Sequence, residues 1–250
     1  MSFEPLDNLK GQVAVVVGAA GGIGFATAQK LAISGAQVIG IVRRNADELQ
    51  KKFDQFENGH LNHQVILADN TKTQEFKQAV EHLTQCDLLV NTAGFSKTIA
   101  HKNLDDLTDD FFDTMLTVNL RSVFSTIKTL LPLLKQSSNA LIVNISSASA
   151  LRPGHGSNMA YTAAKAGLES LTKNLALSLA PQVRVVSICP SSMNTGFLDQ
   201  TAEFYQRAAD TTPLKRIAIP QDIASVVEAC ATKMRFVTGN CFVVDGGRIL

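Results

Sequence analysis

The segment Val13–Val17 holds four valines and one alanine and runs straight into Gly18. A short run of β-branched residues with no polar alternation and a glycine at its end predicts a strand covered on both faces. That is the interior of a parallel sheet, and few other architectures accept it. Apolar runs at 38–42, 65–68, 87–91, 141–145 and 183–188, and at Cys241–Val244, predict further strands. Segments with helical spacing lie between them. They are 22–32, stopped by Ser34 and Gly35, then 73–83, 108–134 with a bend allowed at Pro132, 161–179 and 221–231. Strands alternating with helices define an α/β fold, and right-handed crossovers reduce it to a doubly wound sheet. No linker or repeat interrupts the pattern, so residues 1–250 are expected to form one domain. The least regular stretch, 191–219, follows the carboxyl end of a strand, where such sheets bind ligands. It is the expected lid over a substrate.

The first strand leads into Gly18-Ala19-Ala20-Gly21-Gly22-Ile23-Gly24. Gly18 permits a tight exit from the strand, Gly22 lets a pyrophosphate approach the backbone, and Gly24 lets the helix pack close to the sheet. The free N–H groups around Ile23, at the helix N-terminus, then face the phosphates. A glycine cluster alone has a plainer reading as an ordinary loop. Its position, after the first strand and at the opening of a helix, favours a dinucleotide site. The expected fold is therefore a single-domain, Rossmann-like, doubly wound parallel sheet of about seven strands with helices on both faces.

Selectivity between dinucleotides is read at the end of the second strand. NAD-selective proteins place an acid there, about 20 residues after the glycines, to bind the ribose 2′-hydroxyl. Here Val42 occupies that end, and Arg43 and Arg44 follow. An arginine takes a 2′-phosphate through charge-assisted hydrogen bonds. The plainer reading is two surface charges, but the missing acid is a second sign, so NADP(H) is expected over NAD(H). Asp69, after the third strand, is a candidate acceptor for the adenine amino group; Asp69 or Thr71 is equally a candidate cap for the next helix.

Tyr161 and Lys165 are four residues apart and share one face of a helix. A lysine ammonium beside a phenol favours the phenolate and is expected to lower the tyrosine pKa from about 10. Tyr161 would then serve as general acid for carbonyl reduction and as general base for alcohol oxidation. A serine at the end of the preceding strand, Ser146 or Ser147, would hold the substrate oxygen.

With these motifs in place, the chain resembles the short-chain dehydrogenase/reductase family over nearly its whole length, and within it the 3-oxoacyl-[acyl-carrier-protein] reductase-like members. Gly18, Gly22 and Gly24 match the cofactor turn. Asn91-Thr92-Ala93-Gly94 is similar to the family's Asn-Asn-Ala-Gly motif, which assigns Asn91, Ala93 and Gly94 to the cofactor site. Asn119 matches the helix asparagine that supports a proton-relay water, and Ser147, Tyr161 and Lys165 match the remaining catalytic positions. The resemblance also gives Lys165 the nicotinamide ribose, and Pro190, Met193 and Thr195 the carboxamide. Val244-Asp245-Gly246-Gly247 matches the C-terminal signature. Val17 stands where the family has threonine, and Ser191 where it has glycine. Ser147 lies one residue further from Tyr161 than usual, which an insertion within 151–159 would explain. The resemblance further implies a homotetramer. An acyl carrier protein partner is only weakly supported, because Lys135 and Ala180-Pro181-Gln182 offer little positive charge at the helix ends.

Candidates for the substrate side are Phe95, Leu151, Arg152, His155, Met193, Phe197, Phe204 and Tyr205. Arg152 would attract an anion or point away, and His155 reads as a loop residue near solvent. The net charge of +1 and the absence of long charge runs leave nucleic acid and membrane surfaces unsupported as partners. A hydrophobic content of 45% supports a sizeable core, and no segment has the length of a membrane span. Cys86, Cys189, Cys230 and Cys241 show no metal-binding spacing, so no metal is expected. The first ten residues do not resemble a signal peptide, and a cytoplasmic protein with reduced thiols follows. The competing reading is a regulatory or structural subunit that keeps the fold without catalysis. Such a subunit would be expected to have lost Tyr161, Lys165 or the serine.

Overall fold

The computed structural model describes residues 4–152 and 157–250. Seven strands form one parallel sheet: β1 (Val13–Val17), β2 (Gln37–Val42), β3 (Gln64–Leu67), β4 (Leu88–Asn91), β5 (Ala140–Ile145), β6 (Val183–Pro190) and β7 (Cys241–Val244). Their order is β3-β2-β1-β4-β5-β6-β7. The chain winds outward from β1 to β3, then returns to β4 on the other side of β1. The crevice between the carboxyl ends of β1 and β4 is thus the point where the winding reverses.

The expected apolar runs pack as strands covered on both faces. Alternate residues of β1 enter different cores. Ala14 and Val16 join one with Leu31 of α1 (Gly22–Ile33), Phe53 of α2 (Ala46–Phe53) and Val227 of α8 (Pro220–Thr232). Val13, Val15 and Val17 join the other with Phe76 of α3 (Thr73–Val80), Ile127 of α5 (Ser122–Leu134) and Leu168 of α6 (Met159–Leu179). Gly35, at φ +95°, closes α1 as expected, with its N–H on the Ala32 carbonyl and that of Ala36 on Leu31.

Three elements depart from the sequence reading. Helix α2 lies where no helix was expected, although Leu49, Phe53 and Phe56 sit at helical spacing and are buried. The irregular stretch 191–219 contains α7 (Ala202–Thr211), with Thr201 as its N-cap. The long helix expected over 108–134 is α4 (Asp109–Leu116) and α5 joined by a π turn at Thr117–Arg121. The change in hydrogen bonding falls there and not at Pro132, which sits inside α5. Single π turns inside helices often mark functional positions, and Asn119 occupies this one. Among the described residues, no helix is long and apolar enough to cross a membrane.

Candidate active site

A cavity of about 420 Å³ opens at the carboxyl ends of the central strands. Gly22, Ile23 and Gly24 border it on one side, and Gly18 lies beneath them. Steric space explains each glycine. At Gly18, where φ is +88°, a Cβ would come within 2.6 Å of the Ala93 nitrogen. At Gly24 it would overlap the Gly18 carbonyl oxygen. At Gly22 it would lie 2.9 Å from the Thr195 methyl, because the segment after β6 crosses the turn. No side chain caps α1 and no acid stands in its first turn. Its leading N–H groups are therefore open to an anion, and the cradle fits a dinucleotide diphosphate.

Tyr161, Lys165 and Ser147 border the same cavity. Tyr161 and Lys165 lie on the inner face of α6, both buried, with the ammonium 5.6 Å from the phenol ring centroid. Lysine was expected to lower the phenol pKa, and the structure corrects this. Burial drives the Tyr161 phenol well above its ordinary range, and only the Ser147 hydroxyl opposes it. The ammonium is directed at the Ile145 carbonyl, 2.8 Å away. Burial also pulls Lys165 down to about 8, and the nearby Glu169 carboxylate opposes that fall.

The two candidate serines separate clearly. Ser147 reaches Tyr161 and shares a 2.8 Å hydrogen bond with the Ser149 hydroxyl. Ser146 turns its hydroxyl to the Lys165 carbonyl at 3.3 Å.

Asn119 is buried beneath this group, and its amide clamps the chain. Nδ2 donates to the carbonyls of Phe95 (2.9 Å) and Met115 (3.1 Å), while Oδ1 accepts from the Phe95 N–H at 3.2 Å. This holds Gly94 against the site, where a Cβ would stand 3.0 Å from Asn119 Oδ1. Asn91 lies inside the sheet, donating to Asn144, which donates to Thr172 on α6. Ala93 follows it, with its N–H on the Val17 carbonyl. Thr92 also returns to that carbonyl, through its hydroxyl at 2.8 Å.

The sequence reading missed Asn158. It caps α6 by accepting the Tyr161 N–H at 2.8 Å and ties the helix to Lys97 through a 2.7 Å bond. Its signal was an asparagine three residues before the catalytic-looking tyrosine.

Pro190, Met193 and Thr195 border the cavity, as do Arg152, Phe197 and Phe204. Phe95, Leu151 and Tyr205 do not, and His155 lies outside the described residues, as do the other residues of 153–156 within the stretch in which an insertion was expected. Ser191 has no positive φ, so the turn does not require the glycine usual there. Arg43 and Arg44 are exposed beyond β2. Asp69 does not cap α3, whose N-cap is Lys72. Its carboxylate accepts from the Thr71 N–H (2.9 Å) and hydroxyl (2.7 Å). Burial raises the Asp69 carboxyl, but the Thr71 hydrogen bonds and the charges of Arg43 and Lys72 outweigh it and hold the group below its ordinary value. Residues from distant segments, Arg248 and Ile249 among them, complete the wall with no local signal in sequence.

Cysteine spacing gave no metal ligand set, yet the fold gathers Glu169, Cys189 and Cys241, whose ligand atoms all lie within 4.8 Å of one another. Spacing rules detect only local pairs, and these three come from α6, β6 and β7.

The family model described as enoyl-(acyl carrier protein) reductase matches residues 18–248. The 4-formylbenzenesulfonate dehydrogenase of Comamonas testosteroni is 33% identical over 255 residues, covering 96% of this chain and 99% of that protein. The 3-oxoacyl-[acyl-carrier-protein] reductase of Thermotoga maritima is 31% identical, covering 97% and 100%. Among solved structures, the 3-ketoacyl-(acyl-carrier-protein) reductase of Brucella melitensis, complexed with NADH, superposes with a TM-score of 0.86 at 28% identity, covering 97% and 100%. A doubly wound sheet with a glycine-turn cradle at its switch point is the architecture of a dinucleotide-binding protein. The chain belongs to the short-chain dehydrogenase/reductase family and is an NAD(P)-dependent dehydrogenase resembling the 3-oxoacyl-[acyl-carrier-protein] reductases.

Proposed function

We propose that the chain is an NADP(H)-preferring oxidoreductase that reduces a carbonyl, in a 3-oxoacyl thioester or small ketone, to an alcohol or catalyses the reverse. The observation that carries this reading is the meeting of Tyr161, Ser147 and Lys165 in one cavity with the glycine turn. When bound, the nicotinamide supplies or takes the hydride. The Ser147 hydroxyl donates to the substrate oxygen and holds it at Tyr161. Tyr161, kept protonated by burial, gives its proton to that oxygen as negative charge develops on it. Lys165 spends one of its three donors on Ile145 and keeps two for the ribose hydroxyls. The Asn119 amide is committed to Phe95 and Met115, so a relay water at this position would meet its main chain.

The preference for NADP(H) rests on the acid-free end of β2 and on Arg43 and Arg44. The Brucella complex with NADH means that the family fold alone does not decide it. Gly18, Gly22, Ile23, Gly24, Asn91, Ala93 and Gly94 would cradle or support the dinucleotide, Asp69 would meet the adenine edge, and Pro190, Met193 and Thr195 the carboxamide. Residues 191–219 would act as the lid. A cytoplasmic homotetramer completes the reading, with acyl carrier protein a weakly supported partner. No observation favours the non-catalytic alternative.

The deciding experiment is calorimetric titration with NADPH and NADH, followed by a screen of 3-oxoacyl thioesters, diketones and sugar alcohols. Tight NADPH binding with turnover on any carbonyl supports the proposal, and binding of neither nucleotide overturns it. Arg43→Ala is expected to weaken NADPH roughly 10- to 100-fold, the worth of a charge-assisted contact. NADH affinity should stay within about threefold. Equal losses would remove the 2′-phosphate assignment.

The pH profile follows from Lys165. Burial lowers its pKa, so the ammonium is present below about 8 and lost above it. The kcat/KM for NADPH, which reports groups of the free enzyme, should fall as pH rises through that value. A limb at the ordinary lysine pKa, about 10.4, would contradict this.

A further inference from the structure

We propose that Arg152 and Arg248 form an oxyanion-binding wall, so that the carbonyl compound taken here carries a negative charge of its own, by preference a carboxylate. This rests on the oxidoreductase reading and names the substrate class for it.

Among the described residues, no aspartate or glutamate borders the cavity, whereas Arg152, Lys165 and Arg248 do. Lys165 is directed at Ile145 beside Tyr161. The two arginines are additional, and neither forms an ion pair with an acidic side chain among the described residues. Their attachments place them with the Ser147 side of the cavity. The Arg152 N–H bonds Ala148, in the short turn that follows Ser147. Arg248 reaches the end of α7, whose Phe204 also borders the cavity. The glycine turn and the end of β2 carry the features suited to the dinucleotide's phosphates, so these two cations are not needed there.

Among the described residues, each guanidinium is anchored through its Nη1. Arg152 Nη1 donates to the Ile249 carbonyl and to an oxygen of the last residue, Leu250, both at 3.0 Å; a carboxylate at Leu250 would engage the guanidinium through Nη1 and leave its Nε–Nη2 edge open. Arg248 Nη1 donates to the Ala208 carbonyl at 2.6 Å and to the Thr211 hydroxyl at 3.0 Å, with Thr212 at 3.5 Å. Among the described residues, Nε and Nη2 of both side chains have no protein acceptor. These two nitrogens form the edge that takes a carboxylate bidentately. Anchoring at Nη1 also fixes the side chain in advance, which reduces the entropy lost when an anion docks. A phosphate on a pantetheine-type thioester carrier offers the same oxyanion chemistry, so the test separates the two sources.

The full-length chain, saturated with NADPH, is assayed with 3-oxo acids of increasing chain length and with their methyl esters. The acid is expected to exceed its ester roughly 10- to 100-fold in kcat/KM, the range of a charge-assisted contact. The gap should close to within about threefold in the Arg152→Leu/Arg248→Leu variant, through a rise in KM for the acid relative to its ester. NADPH affinity serves as the check on folding. Should that variant fail the check, Arg152→Lys and Arg248→Lys keep the charge and lose the fork, and each should cost the acid about tenfold. A coenzyme A thioester preferred over its N-acetylcysteamine counterpart, with the same arginine dependence, would place the oxyanion on the carrier. Equal turnover of acid and ester with no such thioester preference, or an acid preference that survives the double substitution, overturns the proposal. A binding arm needs no turnover. The NADP+-loaded chain should bind hexanoate more tightly than hexanamide, and no difference there also overturns the anion wall. If no carbonyl reacts while NADPH and hexanoate both bind, the oxidoreductase reading fails and the anion site stands.

Discussion

Tyr161→Phe is expected to lower kcat by roughly 10²- to 10⁴-fold, the worth of a positioned general acid, while NADPH affinity stays within about threefold. The substitution keeps the ring and removes only the hydroxyl. The ring lies 6.0 Å, centroid to centroid, from Phe197 and 5.6 Å from the Lys165 ammonium, and phenylalanine preserves both contacts. Lys165 keeps its bond to Ile145, and Asn158 still caps the helix on the backbone N–H of residue 161. Ser147 loses one partner but retains Ser149. Stability should therefore change by about 1 kcal/mol or less. What disappears is the proton that burial holds on the phenol until the substrate oxygen becomes basic enough to take it. Steady-state kinetics and a cofactor titration on the same preparation check this. Turnover within a few-fold of the parent would mean that another group supplies the proton, and the acid–base assignment would be lost.

The second large effect is expected at Gly24. An alanine methyl there would overlap the Gly18 carbonyl oxygen and stand 2.8 Å from the Thr92 hydroxyl. Gly18 has no freedom to yield, since its own Cβ position is blocked by the Ala93 backbone and its N–H bonds Ile41 at 2.8 Å. Thr92 is held by its hydrogen bond to Val17. Relief therefore requires moving α1 off the sheet, at a cost of about 3 kcal/mol or more. In a chain of this size that lowers Tm by roughly 6–12 °C, and it shifts the N–H groups meant for the diphosphate. Gly24→Ala should thus lose both stability and most NADPH affinity. Gly21→Ala is the control, because its nearest neighbour would be 3.5 Å away, an ordinary contact. Equal melting temperatures for the two variants would show that close packing at Gly24 is not what its glycine provides.

The strands and the glycine turn were legible in the chain itself because each is dictated by local chemistry. A valine run that ends in glycine suits few environments other than a buried parallel strand, and β1 is buried at every position. Tyr161 and Lys165 were legible because helical periodicity fixes their common face. The sequence also carries marks of the two helices that its reading missed: Leu49 and Phe53 marked α2, and Thr201 marked the start of α7. Both helices are short, and their polar residues masked the pattern.

Other features depend on distance through space, which spacing along the chain does not encode. The choice of Ser147 over Ser146 was made by which hydroxyl faces Tyr161 as β5 ends. The sign of the Tyr161 shift was decided by burial: a lysine one helical turn away suggests a lowered pKa, but the phenol is enclosed and the ammonium is directed at Ile145. The cluster of Glu169, Cys189 and Cys241 exists only because α6 packs on β6 and β6 pairs with β7. Arg248 reaches the cavity that Arg152 also borders because the chain turns back after β7 at Gly246 and Gly247, both at positive φ. Sequence determined the strand–turn–helix cradle and the phenol–ammonium face, since both follow from backbone periodicity and steric size. Tertiary structure decided which hydroxyl, which charges and which protonation state share the cavity, since desolvation and hydrogen-bond direction are set by neighbours that are remote in the chain.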